Sequence, residues 1–134
     1  MSHRTIVITG ATSGIGAAAA RKFAELGDDL VLIGRNMERG IQLETELRSL
    51  GVDVVFQRCD VSEKSQVEKM ARTVEEHFEK VDVLFNNAGV MLPSMEIERM
   101  PAEEWEKTFD ININGMFYVT RALKPFIQKV HGCI

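Results

Sequence analysis

Short, mainly apolar runs alternate along the chain with longer stretches in which apolar residues return every third or fourth position. The runs are residues 6–8, 30–33, 52–56 and 81–85; that at 30–33 shows the continuous apolarity of a strand buried on both faces. The stretches between them predict helices. Ile15, Ala19, Phe23 and Leu26 mark the first, stopped by Gly27; Leu43, Leu47 and Leu50 mark the second, closed by Gly51. Ser62 is placed to cap a third, striped by Val67, Met70, Ala71, Val74 and Phe78. A loop over residues 90–100 then leads into a long helix opened by Pro101. Trp105, Phe109, Met116, Val119, Leu123 and Ile127 form its inward side, and Pro125 predicts a kink or break. His131, Gly132, Cys133 and Ile134 read as a turn and the first step of a fifth strand. Strands alternating with helices predict an α/β fold with a parallel sheet covered on both faces. No repeat or flexible linker divides residues 1–134, so a single domain is expected, cut after the fourth strand and the start of the fifth.

The turn after the first strand carries Gly10, Gly14 and Gly16. Glycine admits a positive φ and lacks the Cβ that would keep a ligand off the backbone. The unpaired amides of the following helix point outward together with the positive end of its dipole. Strand, glycine turn and helix N-terminus in that order make a phosphate-sized anion site. Gly10, Thr12, Ser13, Gly14, Ile15 and Gly16 are therefore the candidate cradle of a dinucleotide, in a Rossmann-type doubly wound sheet. The plainer alternative is a loop that only turns the chain from strand to helix.

Composition narrows the partners. The chain has 134 residues, 45% hydrophobic and 27% charged, as for one soluble globular domain or part of one. Its 16 Lys and Arg are interspersed with 20 Asp and Glu, giving a net charge of −4, so the clustered basic face of a nucleic-acid binder is not expected. No apolar run reaches the ~20 residues of a membrane-spanning helix. Met1-Ser2-His3-Arg4 leads straight into a strand and leaves no room for a signal peptide. Cys59 and Cys133 fit neither a disulfide framework nor a metal-ligand spacing, and the three histidines share no such spacing either. A cytoplasmic protein without a metal is expected.

The order Thr9-Gly10, three residues, Gly14, one residue, Gly16 differs from the general Gly-x-Gly-x-x-Gly fingerprint. Asp60 follows the third strand, Asn86-Asn87-Ala88-Gly89 follows the fourth, and Asn112 lies within Asp110-Ile111-Asn112-Ile113-Asn114-Gly115. With these four motifs in order, residues 5–134 strongly resemble the classical short-chain dehydrogenases/reductases. The resemblance implies that Asp60 accepts a hydrogen bond from the adenine amino group, with the Val61 backbone beside it. It implies that Asn87, Ala88 and Gly89 border the cofactor's ribose. It gives Asn112 a catalytic part, helping to hold a water chain toward a lysine. On the residues alone, Asp60 also suits a helix start, and Asn and Gly also suit a plain turn. Asparagine in mid-helix is locally unfavourable, so Asn112 and Asn114 ask for a reason.

The cofactor choice turns on the end of the second strand. An acidic residue about 20 positions past the glycines holds the ribose 2′-OH of NAD, whereas an arginine nearby accommodates the 2′-phosphate of NADP. That position falls at Gly34, and Arg35 is next. A guanidinium grips a dianionic phosphate with two hydrogen bonds, and one such contact favours NADP by roughly ten- to a hundredfold. NADP(H) is therefore expected over NAD(H), which stays possible; Arg35 otherwise only solvates the turn. By the resemblance, Ser13 and Asn36 help hold the same phosphate, with Arg35 the single cation.

The family's chemistry calls for a serine, then a tyrosine with a lysine four residues on. The chain's one tyrosine, Tyr118, is followed at that spacing by Ala122, and Lys124 comes two residues later. The expectation is the cofactor-binding half of an NADP(H)-dependent oxidoreductase acting on a small alcohol or carbonyl compound. Two alternatives stay open: a non-catalytic nucleotide-binding module and an inactive truncation product. A sheet cut at the fourth strand leaves an uncovered side, so self-association is also expected.

Overall fold

The computed structural model describes residues 3–134; Met1 and Ser2, part of the reading of the amino terminus, lie outside the described residues. The four apolar runs form β1 (Thr5–Thr9), β2 (Asp29–Gly34), β3 (Val54–Arg58) and β4 (Val83–Phe85). All pair in parallel in the order β3-β2-β1-β4, with Val7 between Val31 and Leu84. The helices are α1 (Gly14–Glu25), α2 (Met37–Arg48), α3 (Lys64–His77), α4 (Ala102–Phe109) and α5 (Gly115–Gln128). Alternation along the strands splits the core into two layers. Ile6, Ile8, Leu30 and Leu32 face α1 and α2, while Val7, Val31 and Ile33 face α3 and α5. These seven side chains are fully buried, each contributing about 1.5–3 kcal/mol. The doubly wound α/β architecture is as expected.

Cys133 makes the first step of a fifth strand beside β4. Its N–H donates to the Asp82 carbonyl and its carbonyl accepts from Leu84 N–H, both at 2.9 Å, in parallel with Val83. On the far side of the sheet, β3 is an edge strand whose outward groups are met by α2. Glu44 accepts the Phe56 N–H, and Arg48 Nε donates to the Val54 carbonyl at 2.9 Å.

Four local expectations are corrected. The buried face of α1 is made by Gly16, Ala17, Ala20 and Ala24, while Ile15 and Leu26 are 73% and 63% exposed. Bulky strand side chains already fill the space beneath α1, so small residues let the helix lie close. Leu50 lies beyond the end of α2 and is half-exposed. Ser62 does not cap α3, which starts after Glu63; its N–H and hydroxyl both donate to Asp60 Oδ1, at 3.0 and 2.7 Å. A carboxylate two residues upstream outcompetes the helix for that serine.

The fourth correction concerns the long helix. It runs through Pro125, where Leu123, Phe126 and Ile127 hold α5 on the core. The irregularity is instead a π-helical turn at Asp110–Asn114, between α4 and α5. One extra residue in a turn rotates the following helix by about 100°. The apolar stripe therefore splits: Val119, Leu123 and Ile127 are buried, but Trp105, Phe109 and Met116 stay nearly half-exposed.

Candidate functional site

From β1 the sheet order runs to β2 and β3 on one side and to β4 on the other, so a crevice opens where β1 and β4 part. The turn after β1 closes this crevice from below. Gly10 has φ +62°, and a Cβ there would lie 2.9 Å from the Ala88 Cα. A Cβ on Gly16 would lie 2.2 Å from the Gly10 carbonyl oxygen and 2.6 Å from Asn87 Nδ2. These two glycines let the β1 turn touch the β4 turn. Gly14 is different: φ is +53°, with no atom where its Cβ would point. Its conformation needs glycine, and its open side faces no protein neighbour.

Asn87 braces this junction, donating from Nδ2 to the Gly10 carbonyl at 3.2 Å. Thr9 does as much from the other side. Its hydroxyl oxygen accepts the N–H of Asn87 at 3.0 Å and of Ala88 at 2.9 Å. Sequence reasoning noted Thr9 only as part of the motif; the signal for its role is a buried hydroxyl at a strand end, where two turn amides lack sheet partners.

Ser13 precedes α1 in an extended conformation and makes no side-chain cap. The first amide of α1 to find a helical carbonyl is Ala17, on Ser13. The amides of Gly14, Ile15 and Gly16 are thus left for a ligand, with the dipole behind them. The turn just before them, through Gly10, Thr12 and Ser13, borders a solvent-open cleft, which Gly14, Ile15, Gly16 and Asn87 do not line themselves. Of the expected residues, Gly10, Thr12, Ser13, Arg35, Asp60, Val61, Ala88 and Gly89 line it directly. Ile33, Gly34, Cys59, Val90 and Ile111 join them, an apolar floor that the sequence reading had assigned only to strands and helices.

Asn36 and Asn112 are each tied to a neighbouring stretch of backbone. Asn36 caps α2, its Oδ1 accepting the Arg39 N–H at 3.0 Å. Asn112 projects from the π-helical turn onto the peptide groups of Val90. Its Nδ2 donates to the Val90 carbonyl and its Oδ1 accepts the Val90 N–H, each at 2.8 Å. Gly89 leaves room for this contact, since a Cβ there would stand 3.2 Å from Asn112 Oδ1. The side chain anchors the segment after β4, which supplies the reason that a mid-helix asparagine asked for. Asn114 donates to Asp110 on the exposed surface.

Asp60 is set by its neighbours: Oδ1 takes both donors of Ser62, its own N–H donates to Gln66 Oε1 at 2.8 Å, and Oδ2 remains for a ligand donor. Burial, aided by the charge of Asp60, pushes the Cys59 thiol up to about 11, so it stays neutral and unreactive at pH 7. Tyr118 lies away from the cleft, between α3 and α5, with Arg121 and Lys64 over its ring. No cluster of metal-ligating side chains occurs among the described residues. No helix among them is long and apolar enough to cross a membrane.

A doubly wound sheet whose crevice holds a glycine turn, free helix amides and an acidic residue after β3 defines a nucleotide-binding protein of the Rossmann class. The family model for short chain dehydrogenase matches residues 4–134, and the chain belongs to that family. It is 35% identical over 132 residues to a 3beta-hydroxysteroid dehydrogenase of Mediterraneibacter gnavus, covering 98% of this chain and 48% of that protein. Among solved structures it is similar to an alcohol dehydrogenase of the archaeon Thermococcus sibiricus complexed with 5-hydroxy-NADP. That match has a TM-score of 0.94 and 32% identity, over 98% of this chain and 56% of the other. An NAD⁺-bound xylitol dehydrogenase matches with a TM-score of 0.91 and 29% identity, over 97% and 50%. The chain spans about half the length of the relatives it matches.

Proposed function

We propose that residues 1–134 act as one nucleotide-binding unit, the cofactor half of an oxidoreductase that moves hydride between NADP(H) and a small alcohol or carbonyl compound. The observation that carries this reading is the cleft itself, lined by the glycine turn, Arg35 and Asp60, with the free amides of α1 following directly on Ser13. The residues fit the group. The α1 amides and glycine turn would hold the diphosphate, Asp60 Oδ2 and Val61 the adenine, and Ala88 and Gly89 the ribose. When bound, the nicotinamide supplies the hydride chemistry. No carboxylate stands at Gly34 to take a free 2′-OH, and Arg35 has no ion-pair partner among the described residues. Asn112 acts as a positioning residue for the segment after β4.

Titration of this chain by protein and nicotinamide fluorescence tests the reading. NADPH should bind tighter than NADH by roughly ten- to a hundredfold. Equal affinities would remove the 2′-phosphate from the reading, and no binding of either would remove the nucleotide. A second reading, a nucleotide-binding module without turnover, draws on one observation. The titratable groups lining the cleft are Arg35, the neutral Cys59 and Asp60, with Tyr118 elsewhere.

Two further parts of the reading concern the setting. Both cysteines are free, which accords with a reducing cytoplasm. Self-association is the other. Trp105, Phe109, Ile113, Met116 and Phe117 expose 44–55% of their surface along α4 and α5. In an antiparallel pair of copies, the Glu106 end of one helix meets the Arg121 end of the other, so charge complements the apolar stripe. Light scattering at tens of micromolar should report a dimer or larger; a monomer would end this part.

A further inference from the structure

We propose that Glu44 and Arg48 of α2 plug the margin of β3, and that without them this margin takes up the opposite sheet margin of a second copy, so that one sheet continues into the next. The cofactor cleft has no part in this contact. Register fixes which groups of β3 point outward. Leu30 N–H donates to the Asp53 carbonyl at 2.9 Å and Cys59 N–H to the Gly34 carbonyl at 3.0 Å, so the odd-numbered residues turn their polar groups to β2. Those of Val54, Phe56 and Arg58 turn away from the sheet. Glu44 accepts the Phe56 N–H, Arg48 Nε donates to the Val54 carbonyl at 2.9 Å, and Gln57 Nε2 donates to the Arg58 carbonyl at 3.3 Å. Val54 N–H, Phe56 C=O and Arg58 N–H have no partner among the described residues.

Glu44 and Arg48 reproduce the bonding of a strand. In a parallel ladder, a residue donates its N–H to the carbonyl just before its opposite number and accepts the N–H just after it. Opposite Val55 those groups are the Val54 carbonyl and the Phe56 N–H, and Arg48 supplies the donor while Glu44 supplies the acceptor. The two side chains also hold each other, at 3.4 Å. Together they stand in for one residue of a further parallel strand. Spacing along α2 puts them there. Gly40, Glu44 and Arg48 recur every four residues and so share one helix face. A Cβ on Gly40 would lie 2.3 Å from the Phe56 ring, so only glycine lets α2 sit this close. The two turns that follow then reach the strand edge.

Strand direction selects the occupant. A plug that imitates a parallel residue holds the place of a parallel strand. A copy related by a two-fold axis brings its own β3 antiparallel, whereas a copy set alongside in the same orientation brings its margin beside β4, and every strand stays parallel. On that margin the Cys133 N–H and C=O turn inward to Asp82 and Leu84, so the polar groups of Ile134 turn outward, and its side chain is 67% exposed. Ile134 of one copy therefore faces Val55 of the next and takes the two bonds that Glu44 and Arg48 hold. Such a contact is head-to-tail and does not close, so it grows with concentration, unlike an antiparallel pair through α4 and α5.

The test is light scattering over a concentration series, with hydrogen exchange at the Phe56 amide. It compares the unaltered chain, Glu44→Ala, Arg48→Ala, the two together, and the two together with Ile134→Pro. Proline at 134 removes an outward N–H and leaves both Cys133 bonds in place. In dilute solution the doubly changed chain should melt cooperatively, with its Phe56 amide exchanging roughly tenfold faster than in the unaltered chain. As concentration rises, its mass should climb without levelling and the same amide should become protected again. Ile134→Pro should return the mass to that of the unaltered chain. Each single change should show the growth in weaker form, and these two decide the matter if the double change does not fold. A folded variant whose mass follows that of the unaltered chain overturns the proposal. Growth that survives Ile134→Pro, or that leaves the Phe56 amide open, places the contact on another face and overturns it too.

Discussion

Gly16→Ala is expected to lower the melting temperature by roughly 5–15 °C and to abolish NADPH binding. The added methyl group would sit 2.2 Å from the Gly10 carbonyl oxygen, an approach that real Cβ atoms do not show. Backbone, not a flexible side chain, is the obstacle. Relief requires α1 to lift from the sheet, which loosens Ala17, Ala20 and Ala24 and spoils the aim of its first amides. Overpacking of this kind costs about 1–3 kcal/mol. Gly14→Ala is the control, because it has space and suffers only from its φ of +53°. Circular-dichroism melts and fluorescence titration measure both. An unshifted melt for Gly16→Ala would mean that α1 is not seated as described.

Asn112→Ala is expected to destabilise the chain by about 2–4 kcal/mol, one of the larger losses available from a single side chain. Two hydrogen bonds of 2.8 Å vanish together and leave both polar groups of Val90 without their partner. Asn112→Asp keeps an acceptor for the Val90 N–H but sets a carboxylate against its carbonyl, and should recover less than half of the loss. Urea unfolding gives the free energies. Limited proteolysis gives the place: cleavage within residues 90–100 should quicken, since Asn112 is the anchor of that segment. A free-energy change under about 0.5 kcal/mol would show the pair to be incidental.

The strands were legible because short apolar runs, interrupted only by Asp53 and Asp82, admit few other readings, and the parallel arrangement followed from the helices between them. The glycine turn was legible because conformation and close approach both leave their mark on residue type. The buried face of α1 was not, since alanine carries little hydropathic signal and the sequence pattern was drawn to Ile15 and Leu26. The cap that Asn36 Oδ1 makes with the Arg39 N–H could not be read, because which backbone donor a side-chain oxygen takes is settled only by geometry. Thr9 hid for a related reason: its partners lie about 80 residues on, at the far side of the crossover. The π-helical turn could not be read because an inserted residue leaves no gap in the sequence. It shows only as the quarter-turn between Trp105 and Val119.

The two margins of the sheet are unlike. Glu44 and Arg48 occupy the outward polar groups of β3, while beside β4 the ladder has already accepted Cys133. Extension of the sheet is thus one-way. A stray segment zipping onto the β3 margin must first displace a carboxylate and a guanidinium, which blocks the two-ended stacking on which fibrils depend.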